Sequence, residues 1–174
     1  NEEGLSTFSD TLFINGAGVF SIPLQTSFAA YQAAATGTST ASGAAYTVPC
    51  ETEEWDTQSA YNTSTFGFTP AVAGKYLFCV GVRVEGLTGN VVEVAVDLYK
   101  DADGGGGGAA AQFKRIAFVG GIASGGQVYV IGSALVDSDT NDVWTMVATG
   151  ATAVGNWRTV GGQANTFWSA VKVI

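Results

Sequence analysis

The chain has 174 residues, 47% hydrophobic and only 13% charged, enough for one sizeable core and too few for two comfortable domains. Seven Lys and Arg against fifteen Asp and Glu give a formal net charge of −8, which leaves no cationic stripe for a phosphate backbone and excludes nucleic acid as a partner. There is no His, so Ser-His-Asp and Cys-His catalysis and His-ligated metals are excluded, and no apolar run approaches the ~20 residues of a membrane-spanning helix.

Residues 1–27 read as an N-terminal arm or linker. Polar and apolar groups mix there without alternation, and INGAGVFSIPLQ looks like a turn followed by one short strand. From Phe28 to Ile174 the pattern changes to brief runs rich in Val, Phe, Tyr and Thr, punctuated by many of the chain's 24 Gly. SFAAYQA, AYTVP, FGFT and KYLFCVGVRVE come first, and NVVEVAVDLYK, QFKRIAFVG, QVYVIGSALV, DVWTMVAT and NTFWSAVKVI follow. Such a density of strand-like runs predicts an all-β sandwich, jelly roll or barrel.

Two connections are of low complexity, AAATGTSTASGAA at 33–45 and DADGGGGGAAA at 101–111. The glycines at 104–108 lose too much backbone entropy to hold a strand, so a projecting loop is expected there. A phosphate cradle would need a following Lys-Ser or Lys-Thr and a helix, and GGGGGAAAQFKR supplies neither. Cys50 and Cys79 are too few for a disulfide framework. They read as two buried small apolar side chains, with a single bridge between them as the alternative.

Two further stretches carry potential chemistry. In DSDTND, Asp137, Asp139 and Asn141 stand at the first, third and fifth places of a calcium loop. Asp142 occupies the sixth place, which needs Gly, and Ala148 the twelfth, which needs Glu, so a polar hairpin turn accounts for it better. In GNWRTVGG, an exposed Trp157 beside Arg158 would stack on sugars or pair with carboxylates, making the two a candidate ligand-binding pair. A strand through WRTV would instead bury the indole.

The longest runs are apolar on both faces. One face of KYLFCVGVRVE carries Tyr76, Phe78, Val80, Val82 and Val84, and the other carries Leu77, Cys79 and Gly81 before turning charged at Arg83 and Glu85. QVYVIGSALV places Val128, Val130, Ala134 and Val136 on one side and Tyr129, Ile131 and Leu135 on the other. A sandwich has one inner face per sheet, so the second apolar face needs a cover, either the arm or a neighbouring subunit.

From Asp56 the chain runs through four residues to Tyr61, six to Phe68 and five to Gly74, then reaches Tyr76 and Phe78 in alternation. This spacing resembles the signature of the globular head domain of complement C1q, within the C1q and tumour necrosis factor (TNF)-like jelly-roll superfamily. The family places further aromatics where this chain holds Cys50 and Val80. The likeness extends over residues 28–174, because FAAYQA resembles the family's opening strand, NDVWTMV its penultimate strand and NTFWSAVKVI its closing strand.

The resemblance implies an antiparallel two-sheet jelly-roll sandwich that assembles as a homotrimer and binds through its loops. Leu77, Cys79, Tyr129, Ile131 and Leu135 then become the candidate trimer contact. Glu51, Glu53 and Glu54 in CETEEW fall on an exposed edge ahead of the signature, so a solvated acidic patch is expected there rather than a pair of glycosidase carboxylates. No catalytic, cofactor-binding or metal residue is assigned. Because some heads of the family bind calcium near the trimer apex, the acids of DSDTND, Asp101 and Asp103 keep a weak calcium site open.

Gly-, Ala- and Thr-rich turns, few Lys, scarce Cys and no Gly-X-Y stalk resemble bacteriophage and bacterial versions of this head more than animal ones. The expected function is that of a non-enzymatic virion structural protein, either capsid decoration or fibre-tip host attachment. Its partners would be itself, other virion proteins or a host-surface receptor or glycan. The alternative is a secreted recognition module for a protein or glycan ligand.

Overall fold

The computed structural model describes residues 13–14, 20–21, 25–34, 43–86, 91–102, 110–122, 126–152 and 156–173. All of the regular structure among them is β: β1 Phe13–Ile14, β2 Phe20–Ser21, β3 Ser27–Tyr31, β4 Ala45–Thr47, β5 Thr52–Asp56, β6 Tyr61–Asn62 and β7 Gly67–Phe68 in the first half. Then come β8 Gly74–Gly86, β9 Val91–Asp101, β10 Ala111–Ile122, β11 Gln127–Ser138, β12 Val143–Thr152, β13 Trp157–Thr159 and β14 Phe167–Lys172.

Two antiparallel sheets form the jelly-roll sandwich. One has the order β10-β9-β12-β7-β6, with β4 also on β12, and the other the order β11-β8-β14-β3-β5, with β13 also on β8. Each run expected as a strand is one. The expectations missed β5 in CETEEW and the two-residue β6, while β13 is the strand through WRTV, the alternative to a binding loop. In the arm the single expected strand is instead a hairpin, with Phe13 opposite Ser21 and Ile14 opposite Phe20. The glycine loop at 104–108 lies outside the described residues.

Alternation decides which face meets the core. Tyr76, Phe78, Val80, Val82 and Val84 of β8 are all fully buried, as are Val94, Val96 and Leu98 of β9 and Trp144 of β12. Phe28 stacks on Tyr61 at 4.7 Å and on Phe68 at 4.6 Å, while Trp168 meets Phe28 edge-on at 4.8 Å. These rings come from both sheets and hold them together. Cys50 is buried in this core, and burial pushes its thiol pKa up. Cys79, on the opposite side of β8, is half-buried, and both cysteines are free.

The sandwich closes along one side where edge strand β10 lies beside edge strand β11. Register shifts at Phe113 and Ile116 mark two bulges in β10. The first lets the Phe113 ring meet Trp144 edge-on at 5.0 Å. The second brings Ile116 over Gly132, where an added Cβ would lie 2.6 Å from the Ile116 Cγ2, so only Gly permits the approach.

A charge is buried on the outer side of the first sheet. Asp97 is 1% exposed and accepts a 3.0 Å hydrogen bond from the Arg115 Nε on the neighbouring strand. Arg115→Met should therefore cost about 3 kcal/mol in urea denaturation, because it leaves a buried carboxylate unpaired. The double substitution Arg115→Met with Asp97→Leu should recover most of that loss. A single substitution without effect would show that Asp97 is compensated elsewhere.

Burial also raises the phenol pKa values of Tyr61 and Tyr76, whose hydroxyls donate to the Cys50 and Val72 carbonyls at 2.7 and 2.6 Å. The folded state thus holds these protons more tightly than the unfolded chain does. Their contribution is complete below about pH 10 and is lost as the pH rises through the folded values. The urea midpoint should fall at alkaline pH, less steeply in Tyr61→Phe, and an equal slope in that variant would remove Tyr61 from the cause.

Candidate functional site

The five residues expected to form the subunit contact share the outer face of the second sheet. Register places them in rows across it: Ile131, Gly81, Phe167 and Tyr31 in one; Ser133, Cys79, Ser169, Ala29 and Trp55 in the next; Leu135, Leu77, Val171 and Ser27 in a third. Tyr129 stands opposite Arg83, one step further along, and its hydroxyl donates to the Ala164 carbonyl.

Phe167, Val171, Tyr31 and Trp55 complete the apolar face and were not singled out from the sequence. Alternation along TFWSAVKVI carried the signal for Phe167 and Val171. Trp55 is invisible until β5 is known to pair with β3. A Cβ at Gly81 would come within 2.5 Å of the Phe167 ring, so the glycine is what lets that ring lie flat across β8.

This face is open to solvent. Ile131 is 62% exposed, Trp55 51% and Leu135 49%. Charge pairs bracket the apolar centre. Lys75 meets Asp137 at 2.6 Å at one end, and at the other Arg158 clasps Glu85 at 2.8 and 2.9 Å while Arg83 donates to Asn165 at 3.0 Å and to Gln127.

The candidate pair Trp157 and Arg158 requires correction. Trp157 is fully buried: its indole fills the space above Gly150 and meets Tyr46 edge-on at 6.1 Å. A strand through WRTV buries the ring, so it cannot stack on a ligand. Arg158, next to it, alternates outward and is committed to Glu85.

DSDTND is a polar turn, but not the hairpin expected: it carries the chain from β11 in the second sheet across to β12 in the first. The Asp142 carboxylate is 2% exposed, accepts from the Asp139 N–H at 2.8 Å and the Ser138 hydroxyl at 3.2 Å, and meets the Lys100 ammonium at 2.8 Å. Asn141 donates to the Ala102 carbonyl and Asp137 pairs with Lys75. These side chains are thus engaged within the fold. Among the described residues no three His, Cys, Asp or Glu side chains gather closely enough to hold a metal. Asp103 lies outside the described residues.

The spaced signature now has a physical account. Asp56 accepts from the Gln58 N–H at 3.1 Å and the Tyr61 N–H at 2.7 Å, fixing the turn that delivers Tyr61 to the core. Phe68 meets Phe28, Tyr76 and Phe78, and Gly74 opens the strand that carries the last two.

The fold is a jelly roll of the kind seen in C1q and TNF domains. Among solved structures the chain is similar to murine APRIL, with 12% identity and a TM-score of 0.62 over 86% of this chain and 99% of that one. It is also similar to Eiger TNF from S. frugiperda, at 9% identity and a TM-score of 0.59 over 86% and 93% of the two chains. The globular domain of zebrafish complement 1qA protein matches at 12% identity and a TM-score of 0.60 over 86% and 98%. No family model and no curated protein matches the sequence.

If Gly81 is kept free for the Phe167 ring, Gly81→Val should displace the ring and lower stability by about 1–3 kcal/mol through overpacking. Thermal unfolding measures this, and the paired substitution Gly81→Val with Phe167→Ala should relieve the clash. An unchanged melting temperature in the single variant would show that the ring moves aside freely.

Proposed function

We propose that the protein is a non-enzymatic virion structural protein whose jelly-roll head assembles as a homotrimer, either decorating a capsid or tipping a fibre that meets the host. The observation that carries the assembly is the open apolar face built on Leu77, Cys79, Ile131, Leu135 and Phe167 with Trp55 at its far edge. A contiguous apolar patch rimmed by charge pairs is a surface made to be covered. A second copy is the occupant that every such protein has at hand. Murine APRIL, Eiger TNF and the complement 1qA domain share the fold, which supports a head module rather than an enzyme.

Composition favours the virion setting: no His, two Cys and turns rich in Gly, Ala and Thr suit a particle protein. The alternative, a secreted recognition module, is favoured by the animal origin of these structural neighbours. A capsid or tail gene beside the reading frame would support the virion setting, and an upstream collagen repeat or secretion signal would transfer the protein to the alternative.

Assembly is tested by Ile131→Asp, which places a carboxylate on the edge strand β11 at one side of the apolar face. The parent chain should run as a trimer in light scattering, and the variant should dissociate, because burying unpaired like charges costs several kcal/mol per assembly. A parent chain that is monomeric at micromolar concentration, or a variant that stays trimeric, would refute the assignment of this face.

A further inference from the structure

A groove of about 600 Å³ opens at the end of the sandwich where β8 begins, bounded by the connection that leaves β5, by β6 and β7, and by Val143 at the start of β12. None of its lining belongs to the apolar face described above. Its lining combines hydroxyls from Ser59, Thr63, Thr65 and Thr69 and the amide of Asn62 with apolar surface from Ala60, Tyr61 and Val143. Among the described residues no Asp, Glu, Lys or Arg lines it.

These polar groups have not been spent on the fold. The four hydroxyls make no hydrogen bond with the described residues. Asn62 uses only its carbonyl oxygen, which accepts from the Ser64 and Thr65 N–H groups at 2.8 and 3.2 Å, so the two protons of its NH2 remain free to donate. Across the floor, Thr65 and Val143 face each other over Gly67. A Cβ added at that glycine would lie 3.4 Å from the Thr65 Oγ1 and 3.1 Å from the Val143 Cγ1.

The loop that shapes the groove is also held in an unfavourable conformation. Ser59 has a φ of 52° and Phe66 a φ of 58°, left-handed values that residues with side chains adopt rarely and that gather at ligand clamps. Asp56 and Asn62 fix this geometry from below, through the Asp56 bonds to Gln58 and Tyr61 and the Phe66 N–H bond to the Asn62 carbonyl at 2.7 Å. The result is an open groove whose shape is set before any ligand arrives, with Ser59, Asn62 and Thr65 exposed along it.

We infer that this groove binds a neutral carbohydrate, one or two uncharged sugar units of a larger glycan. An ionised ligand would find no counter-charge in it, and an apolar ligand would leave the hydroxyls and the Asn62 amide buried and unpaired. A sugar offers adjacent hydroxyls that both donate and accept, matched to Ser and Thr, and a C–H face suited to Val143. The site is independent of the threefold assembly, although three copies on one particle would raise the avidity for a repeating glycan.

The test uses the 174-residue chain, isotope-labelled, and a panel of neutral gluco-, galacto-, manno- and N-acetylglucosamine oligosaccharides, with sialyllactose as the charged comparator. At least one neutral member should produce saturable amide shifts confined to residues 59–69 and Val143. Thr65→Val and Ser59→Ala should each weaken that binding by about tenfold, with the melting temperature unchanged. Absence of binding across the neutral panel at millimolar concentration, shifts centred elsewhere, or preference for sialyllactose would overturn the assignment. Light scattering on the same samples reads the assembly separately, so failure of the groove and failure of the trimer are distinguishable.

Discussion

The position of Phe28 between Tyr61 and Phe68 is the contact on which the rest of the structure depends. Phe28 belongs to the second sheet and the two rings flanking it to the first, so the stack sets how the sheets face each other. Trp168 and Phe78 extend it across β14 and β8. Once those strands are pinned with their rings inward, period-two alternation leaves no freedom for the other side. Leu77, Cys79, Phe167 and Val171 must point out. The open apolar face is thus a consequence of the core, and a one-residue slip of β8 would exchange the two.

That dependence explains what the sequence made legible. Strands as long as β8, β9, β11 and β12 announce themselves through alternation, and the two-faced character of KYLFCVGVRVE and QVYVIGSALV was visible without a partner strand. The Asp56 to Phe78 spacing was legible because it records a real constraint: Asp56 turns the chain so that Tyr61 and Phe68 reach the same ring. What stayed hidden depends on pairing over long separations. Trp55 joins the outer face only through the register of β5 with β3, and Thr52–Asp56 has two exposed acids where a strand reading looks for alternation. Trp157 left two readings open because flanking glycines suggest a loop and WRTV a strand, and only the structure shows that the indole lodges at Gly150 on β12.

The two sheets manage their edges differently. The edge strands β10 and β11 lie beside each other, with Ile116 seated over Gly132. At the far edge β5 exposes Glu53 and Glu54, and Gln163 donates to Glu54. Carboxylates on an edge discourage the addition of a foreign strand, because like charges would be brought together. Addition of a strand at this edge is therefore disfavoured, while the outer face stays open.

Face and groove also divide the labour of the molecule by chemistry. The face is apolar with its charges paired at the rim, so it gains from losing water and asks little of directional bonds. The groove is the reverse: its hydroxyls and amide are well solvated when empty, and only a ligand that replaces water bond for bond gains by entering. Asp56 connects face and groove. Its carboxylate shapes the loop over the groove, and its backbone lies on β5 beside Trp55 of the face, so the residue that begins the spaced signature serves both.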